Sequence, residues 1–217
     1  MFLPSMWVKH ILKKHGKERD DLQGTGGELA QHLINRFELE EVTLETTTEG
    51  GDCYNHGTKT VHLSPSIFDR KSLSAIAVAT HEVGHAIQFE RGEPLAALNS
   101  KYLQPAYVFE KWAKIALTAF PLLFIILPNP RLLMVWFALG VATMLIRVAA
   151  QFAVLPLELD ASFNKALPIL KQGGYLQPED QPAVEQVLKA AAYTYVAAAL
   201  ANVLNIGRWF WLFRGLR

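Results

Sequence analysis

Residues 72–90 read SLSAIAVATHEVGHAIQFE, and the rest of the chain has to fold around this stretch. Ser72 or Ser74 is a helix N-cap, the apolar residues that follow sustain a helix, and Arg91-Gly92 ends it. Within the helix, His81-Glu82-Val83-Gly84-His85 sets two imidazoles one turn apart on one face. At that spacing both reach a single Zn²⁺ at about 2.0–2.1 Å. Glu82 is turned about 100° around the axis, beside such a metal rather than on it. That is where a general base for a metal-activated water belongs. A helix with two histidines and a glutamate is often a plain solvated face. Here AIAVAT precedes the motif and AIQ follows it, so a charged Glu82 without a metal or partner would be costly.

A catalytic zinc usually takes a third protein ligand and leaves one position for water. The metzincin set needs a histidine six residues beyond His85, where this chain has Arg91. No histidine follows residue 100, so a distal ligand must be a carboxylate: Glu158, Asp160, Glu179, Asp180 or Glu185. Glu158 is the strongest, because it stands among apolar neighbours two residues after Pro156. The proline is expected to bend the chain and start a new helix there, bringing Glu158 beside the zinc helix while Asp160 points to another face. His56 and His62 are competing ligands.

Outward from this centre the chain divides into a polar front and an apolar back. Of 217 residues 51% are hydrophobic and 19% charged, the latter below the roughly 25% of a soluble domain. The net charge of +1 and the lack of a basic stripe exclude nucleic acid as a partner. A single cysteine, Cys53, rules out an intrachain disulfide and fits a reducing compartment. Residues 113–127 (AKIALTAFPLLFIIL) and 132–146 (LLMVWFALGVATMLI) flank a Pro-Asn-Pro turn. Each run makes about 22 Å of helix, short of a hydrocarbon core of about 30 Å. Extended to Tyr107 and to Leu155 they form a transmembrane hairpin; the other reading is the core hairpin of a large soluble domain. A third apolar stretch, 187–206, leads into Arg208-Trp209-Phe210-Trp211, an interfacial cluster. With about a hundred polar residues ahead of the first apolar run and no signal peptide, the front half is expected in the cytoplasm.

In the front half, Thr25-Gly26-Gly27-Glu28 is a capping box opening an amphipathic helix to about Phe37. Glu41–Thr47 and Thr58–Leu63 alternate as strands on either side of Glu49-Gly50-Gly51-Asp52, which reads as a small β-hairpin. The strand Thr58–Leu63 is expected either to lie along the cleft and pair with an extended peptide, or only to cover the catalytic helix.

HEVGHAIQ (81–88), the apolar hairpin, LPLELDAS (155–162) and AAAYTYVAAAL (190–200) resemble the YugP-like membrane zinc metallopeptidases. The likeness extends to Thr25-Gly26, Gly51-Asp52-Cys53-Tyr54 and Leu63-Ser64, and so covers nearly the whole chain. The order of motifs is also similar to the HtpX and CAAX-processing membrane endopeptidases. The resemblance implies that His81, His85 and Glu158 hold zinc. It also brings the segment of Tyr193 and Tyr195 near the site. These two lie about 200° apart on a helix, so only one faces the metal. Tyr195 is taken as an oxyanion donor, because Asn202 extends its polar face. Three departures stand out. Ser162 replaces the aspartate of the HtpX type; a hydroxyl can still hydrogen-bond a ligand histidine but adds no negative charge. Cys53 stands where a histidine is expected, and only Met1–Val8 precedes the basic stretch Lys9–Arg19, so the N-terminal membrane helix common in the family is expected to be either absent or cut off by a truncated start.

The expected fold is therefore mainly α: zincin-like catalytic helices with a small β-hairpin, a transmembrane helical hairpin and a C-terminal membrane helix. The segments are 1–106 (catalytic half), 107–155 (hairpin), 156–186 (third-ligand region) and 187–217 (membrane helix and tail). The expected function is peptide-bond hydrolysis at the cytoplasmic face of a bacterial-type plasma membrane. Zn²⁺ is the cofactor, Glu82 the base, Tyr195 an assisting group, and peptides or proteins, membrane proteins included, the substrates. The alternative is an inactive zinc-stabilised scaffold or peptide-binding homologue.

Overall fold

Helix formation begins where the sequence supplies caps. In the computed structural model, which describes residues 3–103, 105, 108, 111, 112, 115, 129–194 and 196, Thr25 caps α2 (Gly26–Arg36). Its hydroxyl accepts from Glu28 N at 3.2 Å while Glu28 returns a carboxylate oxygen to Thr25 N at 2.8 Å. Ser72 caps α4 (Leu73–Glu90), its hydroxyl accepting from Ala75 N at 3.1 Å. Leu73 to Gln88 is buried without interruption, so α4 is a core helix rather than an amphipathic one. Before them stands α1 (Leu3–Lys14); α3 (Pro65–Phe68) and α5 (Pro94–Leu98) are short.

The described residues are mainly helical with one small sheet, and fall into two compact units. One comprises Leu3–Ala97 and Leu155–Thr194 and contains His81, Glu82, His85 and Glu158. In it α2 packs on one side of α4, with Leu33 and Ile87 fully buried in the shared core. The helix α8 (Gln181–Ala192) packs on α4 through Val187 and Leu188, and α7 (Leu167–Gln172) contributes Leu170. Each such buried side chain stabilises the fold by roughly 1.5–3 kcal/mol.

The sheet departs from the expected hairpin. Strands β1 (Thr43–Thr46), β2 (Cys53–Asn55) and β3 (Thr60–Leu63) lie in the order β1-β3-β2. The two strands legible in the sequence run parallel, with Thr43 opposite Thr60 and Thr46 opposite Leu63. The antiparallel hairpin is instead β2–β3, pairing Cys53 with His62 and Asn55 with Thr60. Its turn is closed by Asn55 Oδ1, which accepts from Gly57 N at 3.0 Å and Thr58 N at 3.3 Å, and by Lys59 at φ 53°. Glu90 fastens this hairpin to the end of α4, accepting from Tyr54 Oη at 2.9 Å and Lys59 Nζ at 2.7 Å. Because β3 is paired on both sides, it has no edge left for a substrate strand, which corrects that expectation for Thr58–Leu63.

Helix α6 (Pro130–Leu159) continues through Pro156. No new helix starts at the proline, contrary to expectation: one backbone hydrogen bond is forgone, and the burial of Leu157 and Glu158 keeps the helix going. The irregularity comes one turn later, as a π-helical segment over Asp160–Ala166. In the second unit, which holds Leu98–Val154, α6 exposes Met134 (73%), Val135 (65%) and Leu145 (58%). Among the described residues, one helical stretch, Met134–Gln172, is long and apolar enough to cross a membrane, with mean hydropathy 1.8 in its most apolar window. Most of the first hairpin arm, Tyr195, and the C-terminal segment beyond residue 196 lie outside the described residues.

Candidate metal centre

One turn of α4 brings the imidazoles of His81 and His85 together edge to face, with centroids 4.6 Å apart. The end of α6 delivers Glu158 to the same point. Its Oε2 lies 3.3 Å from His81 Nε2 and 3.4 Å from His85 Nε2. One donor atom from each of the three residues lies within 4.8 Å of the others, and all three residues are buried. Two imidazole nitrogens and one carboxylate oxygen, with no second carboxylate joining them among the described residues, are a donor set suited to Zn²⁺.

The far side of each ring determines which nitrogen faces that point. Ser162 Oγ lies 3.0 Å from His81 Nδ1 and donates its own proton to Leu188 O at 3.2 Å. The hydroxyl therefore accepts from Nδ1–H, and His81 presents the Nε2 lone pair. His85 Nδ1 is bonded in turn to Gln88 Oε1 at 2.9 Å. Close approach of the two elements depends on Gly84, where a Cβ would stand 3.0 Å from the Ala161 carbonyl oxygen.

Charge is held out of solvent here. Burial raises the pKa of Glu82; His81 and His85 offset this in part, and Glu158 and Asp52 add to it. Burial opposes protonation of His85, but the Glu158 carboxylate outweighs it and lifts the imidazole to about 9. Asp52 Oδ1 accepts from Ser64 N at 2.7 Å and Ser64 Oγ at 2.8 Å, which anchors the entry to β2. Next to it, the exposed Cys53 has its thiol pKa raised by partial burial and by the charges of Glu82 and Asp52. The strand β2 thus passes within electrostatic reach of Glu82.

The structure brings together His81, His85 and Glu158, with Glu82 beside them on α4, and leaves the other candidates elsewhere. Asp160 bonds Gln88, Asn164 and Lys165. Asp180 pairs with Arg19, and Glu185 with Lys171 and Gln181. Glu179 lies in the 3₁₀ turn Pro178–Asp180. His56 stacks on Phe89 at 4.9 Å, and His62 faces Glu45. Tyr195 is not among the described residues. Gln88 received no role from the sequence, although an amide three residues after His85 in an apolar helix is a signal.

A family model described as "Putative neutral zinc metallopeptidase" matches residues 1–214. The chain is also 32% identical over 213 residues to a Bacillus subtilis (strain 168) protein named "Putative membrane protease YugP". That alignment covers 95% of this chain and 88% of the Bacillus protein. No solved structure matches the chain.

Proposed function

The chain belongs to this neutral zinc metallopeptidase family, and from that premise we propose that it is a membrane-bound zinc metalloendopeptidase with His81, His85 and Glu158 as ligands and Glu82 as general base. The observation that carries the reading is the convergence of three buried donors on one point, on the same helix as a buried glutamate. Bound zinc would supply Lewis acidity, polarising a scissile carbonyl and acidifying water. Glu82 takes a proton from the attacking water onto a carboxylate oxygen and delivers it to the leaving amine nitrogen; a pKa raised by burial suits a group that must both accept and return it. Tyr195 is retained as the second oxyanion donor.

Substrate docks as an extended chain along β2 rather than β3. Among the described residues β2 pairs only with β3, which leaves its outer edge for main-chain hydrogen bonds of little sequence demand. The reading includes a zincin-like catalytic half, the 107–155 hairpin and the C-terminal helix in a lipid bilayer. The site faces the cytoplasm, and the substrates are peptides or proteins, membrane proteins included. It is supported by the name of the Bacillus relative and by the exposed apolar face of α6. A scaffold without activity would need the three donors but not Glu82, and the intact HEVGH sequence favours the enzyme. Purified in detergent, the full chain should hydrolyse casein, lose that activity to a zinc chelator and regain it with Zn²⁺. Hydrolysis that persists in chelator would refute the reading.

A further inference from the structure

We propose that Gln88 is a positioning residue for the metal centre, fixing the tautomer and ring plane of His85, and that Asp160 fixes Gln88 in turn. The inference rests on His85 being a ligand, as read above.

Gln88 is completely buried, so each polar atom of its amide needs a partner. Its two ends are distinguishable by what they meet. The nitrogen lies 3.1 Å from Leu157 O and 2.7 Å from Asp160 Oδ2, both pure acceptors. Turned over, the amide would set its oxygen against both and forfeit two hydrogen bonds in a dry interior. The orientation is therefore forced, and Oε1 accepts from His85 Nδ1–H at 2.9 Å. That leaves His85 Nε2 as the nitrogen directed at the point shared with Glu158, where it would give its lone pair to a bound metal.

Asp160 is itself held in place. Asn164 Nδ2 donates to its Oδ1 at 2.8 Å and Lys165 Nζ to its Oδ2 at 3.2 Å, while Lys165 also pairs with Glu93 at 3.0 Å. A chain of polar contacts thus runs Glu93, Lys165, Asp160, Gln88, His85. The segment that carries Glu158 also carries Asp160, so it supplies one ligand directly and orients another through an amide. Both ligand histidines consequently lean on neutral acceptors, the Ser162 hydroxyl and the Gln88 carbonyl. The Asp160 charge is kept one residue away from the ring.

The test uses the full chain in detergent, with Zn²⁺ affinity measured against a competing chelator and the visible spectrum of the Co²⁺-substituted protein. His81→Ala serves as the control for the ligand reading. Gln88→Leu, close in volume but without an acceptor, should lower Zn²⁺ affinity roughly 10–100-fold and change the Co²⁺ spectrum. Gln88→Glu alone, which sets a carboxylate against Asp160 and the Leu157 carbonyl, should also bind poorly. Gln88→Glu combined with Asp160→Asn sets an amide donor opposite the new carboxylate while the Leu157 carbonyl stays unpaired, and should recover part of the lost affinity. A buried side chain that only fills space would not show that rescue. If Gln88→Leu fails to fold, the comparison of Gln88→Glu with the double variant decides alone. Unchanged affinity and spectrum in Gln88→Leu, or a double variant no better than Gln88→Glu, overturns the inference while the His81→Ala result leaves the ligand reading standing. A parent protein that binds Zn²⁺ no better than His81→Ala overturns both.

Discussion

Gly84 lies so close to Ala161 that a methyl group added to it would stand 3.0 Å from the Ala161 carbonyl oxygen and 3.4 Å from Lys165 Cβ. Gly84 directly precedes His85, and Ala161 follows Glu158 by three residues, so this contact sets the distance between the two halves of the donor group. Gly84→Ala gains about 1 kcal/mol of helix propensity and asks the carbonyl to move by a few tenths of an ångström. Gly84→Val overpacks the contact at a cost of about 1–3 kcal/mol. The valine variant should melt lower than the alanine variant and bind less zinc, as read by calorimetry and metal analysis. Equal zinc content in the two would show that the contact does not set the donor spacing.

Ser162 is completely buried between His81 and Leu188. Ser162→Ala strands an imidazole N–H, which should destabilise the protein by about 1–3 kcal/mol and weaken zinc binding about tenfold or more. Urea unfolding and chelator competition measure the two effects separately.

Glu82→Gln removes a carboxylate that sits beside the donors without joining them. Zinc content should be unchanged and kcat on a peptide substrate should fall by about 10²–10⁴-fold. Full activity in this variant would remove Glu82 from the chemistry.

The Cys53 thiol should alkylate slowly at neutral pH, because partial burial, Glu82 and Asp52 all raise its pKa and the thiolate is the reactive form. The rate should climb only as pH rises above the ordinary thiol range. In metal-free protein, Glu82→Gln withdraws one of the two charges and should speed the reaction; an unchanged rate would place Cys53 out of reach of Glu82.

What was legible in the sequence was local. Ser72 as a cap and the HEVGH spacing depend on contacts within one helix, and α4 forms as read. Glu158 is legible because a carboxylate in an apolar setting needs a partner. The sheet order is not, because β2 has three residues, too few to show alternation, and because parallel pairing of β1 with β3 is a non-local choice. The steric rule for Pro156 is local, while the burial that keeps the helix continuous is tertiary. The place of Gln88 depends on Asp160, 72 positions away, in a π-helical segment that no periodicity announces.

An anomalous-scattering map at the zinc edge, from crystals of the full chain, would examine the ligand set directly. Expected is one strong peak within bonding reach of His81 Nε2, His85 Nε2 and the Glu158 carboxylate, with Glu82 beside it but not bound. A peak held by His56, His62 or Asp160 in place of Glu158, or no zinc at His81 and His85 in protein that cleaves casein, would contradict it.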